Sequence, residues 1–172
     1  MNRFELITLT PKYKQQYLKM IKENADDLKR TGFYYRFPLS NEDTFEEDVN
    51  LLINRSKGIG CNVPNSTFFL MNEDSNMIVG AVNIRHELDD YHFHRGGHIG
   101  YYVCQSERNK GYARIMLGKA LEYCRKLGMD KVLLTCLKNN IASAKTIISN
   151  GGVFEAENDE RGEILQRYWV NL

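Results

Sequence analysis

Residues 98 to 137 place the tightest constraint on what this chain can fold into. An apolar run, HIGYYVCQ (98–105), enters the turn SERNKGYA (106–113). A helical pattern then runs from about Gly111 to Leu127, and KVLLTCL (131–137) is an almost unbroken apolar strand. Strand, crossover helix and strand in this order require the two strands to lie side by side and parallel, since an antiparallel return needs only a tight turn. Ile115, Met116, Ala120, Cys124 and Leu127 form the inward helical stripe, and Gly128 closes it.

The rest of the chain supplies mostly antiparallel partners for that unit. FELITL (4–9) reads as a short strand. Thr10 and Pro11 then offer a cap and a first-turn proline for a helix with Tyr13, Tyr17, Ile21, Ala25 and Leu28 on its apolar face. A second helix is expected from Ser40, where SNED has capping-box form, with Phe45, Val49, Leu52 and Ile53 inward. TFFLM (67–71) and MIVGAVNIR (77–85) flank the turn cluster NEDSN and make a hairpin. Asn140 starts a short helix that ends at NGG (150–152), and VFEAE and ILQRYWV close the chain as a final hairpin. The expected order is β-α-α-β-β-β-α-β-α-β-β, an α/β (α+β) fold in one domain spanning 1–172.

The turn between strand and helix is chemically pointed. The first N–H groups of a helix lack intrahelical partners and carry the positive end of its dipole, so an anion docked there is held by several donors at once. Gly111 leaves room for close approach, Ala113 keeps the next contact small, and Arg108, Lys110 and Arg114 add positive charge. On spacing alone a basic turn that merely caps its helix fits as well. GIGCNVPNS (58–66) does not complete a G-x-G-x-x-G motif and follows no strand, so no dinucleotide site is expected there.

SERNKGYA resembles the R-x-x-G-x-G/A signature of the GNAT superfamily of acetyl-CoA-dependent N-acetyltransferases. GGHIGYYV before it, and KVLLTCLKNNIASAKTIISNGGVFE after it, extend the resemblance from about residue 76 to 157. The wording is close to a group of bacterial predicted acetyltransferases. The resemblance implies a mixed, mostly antiparallel sheet whose parallel pair, 98–105 and 131–137, splays around the cofactor, flanked by about four helices. It implies that backbone N–H groups of Asn109, Lys110, Gly111, Tyr112 and Ala113 cradle the pyrophosphate of acetyl-CoA, with Arg108 orienting the turn. Val103 would pair with the pantetheine arm and polarise the thioester carbonyl. Asn140, with Ser143 in the following helix, would contact the arm, although a plain N-cap explains Asn140 equally. Two positions depart from the pattern. Gln105 stands where many members have proline, and Ile147 stands where the family's acid tyrosine belongs. Tyr168 or water is then left to protonate the leaving thiolate.

Attack on a thioester needs a deprotonated amine, and a base with a pKa near neutrality suits it. All four histidines lie in one window, at 86, 92, 94 and 98. His98 begins the cofactor strand, where many members place a glutamate, and is the first candidate base; Glu87 is the second. A hydrogen-bonded histidine at a strand start is the plain alternative for His98. HFHRGGH also offers three imidazoles, but without the compact spacing of structural zinc sites or a nearby cysteine, so no metal is expected. GFYYRFP (32–38) reads as inter-helix core rather than as a lid, and NEDTFEED (41–48) as ordinary helix-start acidity.

Net charge is +1, so no field marks a nucleic-acid or membrane-surface binder, and no apolar run reaches bilayer length. The four cysteines form no C-x-x-C pair and read as reduced thiols of a cytoplasmic protein. The expected function is acetyl transfer from acetyl-CoA to an amine of a small molecule or peptide, by direct attack in a ternary complex. The alternative is a non-catalytic acyl-CoA-binding or sensing module, motivated by Ile147. A homodimer is left open.

Overall fold

The computed structural model describes residues 3–33 and 36–172. Strands β1 (Phe4–Ile7), β2 (Asn65–Asn72), β3 (Met77–Arg85) and β4 (Ile99–Val103) form an antiparallel sheet in chain order. Strands β5 (Lys131–Leu137), β6 (Val153–Glu160) and β7 (Glu163–Asn171) form a second antiparallel sheet in the order β5-β7-β6. Helices α1 (Lys14–Arg30) and α2 (Phe45–Ser56) pack on one face of the first sheet, through Tyr17, Leu28, Phe37, Phe45 and Phe69. Helices α3 (Tyr112–Lys126) and α4 (Ile141–Ile148) cover the other side. There Met116, Leu117 and Ala120 share one apolar core with Val82 and Ile84 of the first sheet and Val132, Leu134 and Val170 of the second. A fully buried side chain of this size contributes about 1.5–3 kcal/mol, so this shared core, rather than a strand ladder, is the main apolar bond between the two sheets.

The strands expected to form the parallel pair, β4 and β5, end up as facing edges of two separate antiparallel sheets rather than neighbours in one mixed sheet, and they touch only at one end. The His98 N–H donates to the Leu133 carbonyl (2.7 Å), and the Leu133 N–H donates to His98 Nδ1 (2.9 Å). Gly97 makes that approach feasible. Its φ is +60°, and a Cβ there would stand 2.5 Å from the Leu133 carbonyl oxygen. Beyond this contact no ladder joins the strands, which is the splay the sequence resemblance implies.

Several local expectations change. The second helix begins at Phe45 rather than Ser40, because Asn41 Oδ1 accepts from the N–H groups of Asp43 and Thr44 and Thr44 Oγ1 accepts from Asn41 N–H, which makes a turn of the segment. Ile53, Ile115 and Leu127 are exposed; Leu117 and Leu121 are the inward residues of α3 that the stripe omitted. A π-helical turn, His92–Gly96, occupies the histidine-rich loop. Phe33 and Phe37 are core, as read; Tyr34 and Tyr35 of the same segment lie outside the described residues.

Candidate active site

The gap between β4 and β5 follows from hydrogen-bond alternation. On β4, His98 and Cys104 bond to β3, through Arg85 N–H to the His98 carbonyl (2.8 Å) and Cys104 N–H to the Val79 carbonyl (3.0 Å). The strand period of two then turns the N–H groups of Ile99, Tyr101 and Val103 the other way, toward β5. On β5, Asp130 and Lys138 bond toward β7, so Leu133, Thr135 and Leu137 face β4. Two strand edges therefore look at each other across a wedge closed at His98–Leu133. An extended amide-bearing chain fits such a wedge as an added strand.

The wedge opens onto the basic turn. Gly111 is the N-cap of α3 with φ +81°, and a Cβ there would meet nothing within 4 Å. Asn109 also takes a positive φ, of 62°. The N–H groups of Asn109, Lys110, Gly111, Tyr112 and Ala113 make no hydrogen bond to any described protein group, and the first helical bonds begin with Arg114 N–H to the Gly111 carbonyl (3.1 Å). Five successive unpartnered donors at a helix start, with open space above the glycine, fit a pyrophosphate. Lys110 is paired with Glu107 (3.0 Å), and Tyr112 stacks on Phe4 with ring centroids 4.9 Å apart.

Arg108 does not point at this cradle. Its Nε donates to the Val103 carbonyl (3.2 Å), and its guanidinium pairs with Asp27 of α1. Asp27 is buried and also accepts from Tyr102 Oη (2.8 Å) and pairs with Arg30. Burial opposes its ionisation, but the hydrogen bonds from Tyr102, Arg30 and Arg108 outweigh that and hold its pKa below the usual carboxylate value. Buried Asn24, one turn earlier, accepts from the Gln105 N–H (2.9 Å). Thus α1 ties down the turn through two buried polar residues that the apolar-face reading of this helix missed. A polar pair three apart on an otherwise apolar stripe was the available signal.

Asn140 Oδ1 accepts from Ser143 N–H (3.1 Å), so it is an N-cap. Ser143 Oγ lies 2.7 Å from Tyr101 Oη, and that hydroxyl also reaches the Ser143 carbonyl (3.3 Å). Burial pushes the Tyr101 phenol up to about 12. Ile147 is fully buried beneath Gly152. Tyr168 is buried on β7, where its hydroxyl donates to Gln166 Oε1 (2.8 Å), and burial raises its pKa. Glu87 is exposed just beyond β3.

His98 is 9% exposed, and burial pushes its pKa down to about 4. With Nδ1 accepting from Leu133 N–H, its proton sits on Nε2, which leaves no lone pair to take another. His86 Nε2 is bonded to Ser66 (2.9 Å), and His92 Nδ1 to Asp89 (2.6 Å). Among the described residues no three His, Cys, Asp or Glu side chains gather as metal ligands, and no helix is long and apolar enough to cross a membrane.

Comparison with known proteins identifies the arrangement. The family model described as Acetyltransferase (GNAT) family matches residues 23–147, most of the chain. The chain belongs to the GNAT acetyltransferase family. It is therefore an acetyl-CoA-dependent acyltransferase, which favours the catalytic reading over a sensing module. Solved structures share the fold at low identity. A GNAT-family acetyltransferase from Bordetella pertussis superposes with a TM-score of 0.68 at 13% identity, covering 99% of this chain and 96% of that one. A ribosomal-protein-S5-alanine acetyltransferase from Vibrio fischeri gives 0.68 at 14%, with 99% and 96% covered. A spermidine N-acetyltransferase from Vibrio cholerae, solved with CoA and spermine, gives 0.63 at 16%, with 98% and 95% covered. No curated protein matches the chain by sequence.

Proposed function

We propose that this protein transfers the acetyl group of acetyl-CoA to an amine by direct attack within a ternary complex. The observation that carries the reading is the continuity of the five unpartnered N–H groups of 109–113 with the open edge of β4. Acetyl-CoA supplies an activated acyl group on a thiol leaving group. The N–H groups of 109–113 hold its pyrophosphate. Those of Val103 and Tyr101 hold the arm and polarise the carbonyl, which is where negative charge develops on attack. Arg108, paired to Asp27, fixes the turn that presents them.

Direct transfer is supported by the state of the three buried thiols, Cys104, Cys124 and Cys136. Burial pushes Cys104 up to about 12 and Cys124 up to about 11, and raises Cys136, whereas nucleophilic cysteines are shifted down. His98 then serves as the neutral clasp that closes the wedge, and the acceptor's proton leaves through water, with exposed Glu87 the remaining candidate base at that end of β3. For the leaving thiolate, Tyr101 supports the role better than Tyr168. It rises from the strand that carries the thioester, is protonated at neutral pH, and meets α4 at Ser143.

A thiol-release assay with acetyl-CoA against amines, polyamines, amino acids and peptide N-termini tests the reading. Acceptor-dependent thiol release, without any acetyl group retained on the protein, is the expected result. Silence across the panel with intact CoA binding, or stoichiometric acetylation of Cys104 or Cys136, refutes it.

A further inference from the structure

A second concavity adjoins the closed end of the wedge, on the face covered by α1 and α2. It has a volume of about 340 Å³ and is lined by Arg36, Arg55, Arg85, Asn65, Asn83 and His92, among others. Arg36 lies against β4 itself, since a Cβ on Gly100 would stand 2.6 Å from its Nε. The site therefore begins two residues from the His98–Leu133 clasp. A larger cavity, about 400 Å³, lies between α1, the β2–β3 turn and the end of β4 at Cys104, Ser106 and Glu107, and carries charges of both signs, such as Lys19 and Glu23.

The charge in the smaller pocket is one-sided. None of its three arginines forms an ion pair with a carboxylate among the described residues. Arg85 donates only to backbone, at the carbonyls of Gly97 (2.8 Å) and Gly96 (3.4 Å). Arg55 reaches the Arg36 carbonyl (3.4 Å), and the Arg36 guanidinium stacks on the Phe33 ring at 4.8 Å. Arg36 Nε is buried with no acceptor among the described residues. Nearby Asp89 is engaged by His92, through Nδ1 and the backbone N–H. Burial and the neighbouring Arg36 push Arg85 down to about 10, as expected of cations held together out of water. Holding such charges half-buried and unpaired is costly unless an anion completes them. Planar guanidiniums with free N–H groups are also the donors that match carboxylate and phosphate oxygens.

We infer that this pocket seats an anionic group of the acceptor, so that the substrate is an amine bearing a carboxylate or phosphate held by Arg36, Arg55 and Arg85. The inference rests on the acetyl-transfer reading above and sharpens it. A polyamine or a lysine-rich peptide would meet repulsion here.

The test uses CoA-site-competent, full-length protein and matched amines. O-phosphoethanolamine is set against ethanolamine, glycine and β-alanine against their amides, and spermidine stands as the cationic member. The anionic members are expected to show kcat/KM at least about 10-fold above their neutral partners, expressed mainly in KM, because charge-assisted hydrogen bonds made on binding act there. Phosphate-bearing and carboxylate-bearing arms tell the two anions apart. Arg55→Gln, and separately Arg36→Gln, should erase the preference while CoA affinity stays unchanged. Turnover of neutral or cationic amines that equals or exceeds the anionic ones overturns this inference and leaves acetyl transfer standing. If no amine releases thiol, acetyl transfer is what fails, and calorimetric titration of inorganic phosphate into CoA-saturated protein decides the pocket. Binding lost in Arg55→Gln upholds an anion site, and absence of binding removes it.

Discussion

Gly111 joins two demands at one residue, a left-handed backbone and an approach free of side-chain atoms. A helix start ordinarily welcomes glutamate, but φ of +81° does not, and any side chain here costs about 1 kcal/mol. Gly111→Ala carries that strain without charge or bulk near the five donors, so it is expected to lower stability by about 1 kcal/mol and CoA affinity by less than about 10-fold. Gly111→Glu has the same strain and adds a carboxylate where the proposed site would hold the pyrophosphate. It is expected to weaken CoA binding by about 100-fold or more, because several hydrogen bonds to a charged group are replaced by repulsion. Calorimetry on both variants, each checked for a native circular dichroism spectrum, separates the two effects. Equal affinities for the alanine and glutamate proteins would mean that the turn does not hold the phosphates.

At the scale of elements, the β4–turn–α3–β5 unit was legible from residues 98–137 because apolar runs, a glycine turn and a helical stripe all pointed to one arrangement. The α2 start was not, since local turn bonding by Asn41 and Thr44 competes with a capping box and no pattern in SNED says which wins. The role of His98 was not legible either. A histidine at a strand start can be a base or simply a hydrogen-bonded residue until its partner, Leu133, arrives from 35 residues away. That clasp has a pH signature. The folded-state pKa of about 4 lies below the ordinary 6.5, so the unfolded chain binds the proton more readily. The contribution of neutral His98 is present above the unfolded value and is lost as pH falls toward the folded one. Between about pH 7 and pH 5 this amounts to about 2 kcal/mol. His98→Asn keeps an acceptor near Leu133 N–H without a titrating ring. It should flatten that part of the stability–pH curve in denaturant melts while retaining acetyl transfer at neutral pH. An unchanged pH slope in the variant would show that His98 does not report the splay, and lost turnover with normal CoA binding would return it to the role of base.

Across the whole molecule, two sheets share one core yet meet edge to edge at a single clasp, and CoA is the piece that would bridge them. The backbone alternation makes this a prediction at single-residue resolution. The N–H groups of Tyr101 and Val103 face the wedge, as do those of Thr135 and Leu137, while Tyr102 and Cys104 belong to the register that already bonds to β3. Added CoA should therefore slow amide hydrogen exchange in alternate residues of β4, at Tyr101 and Val103, together with the turn amides 109–113. Tyr102 and Cys104 should change only as far as global stability does. That global term is set by mass action, about 2.7 kcal/mol with CoA at 100 times its Kd, or a Tm rise of about 5–10 °C for a chain of this size. Protection that appears in every β4 residue alike, in step with the Tm, would mean that CoA stabilises the fold without entering the wedge. Protection confined to 109–113 would mean that the phosphates dock but the arm does not. Only the alternating pattern places an extended arm between β4 and β5, because only an added strand bonds every second residue of an edge.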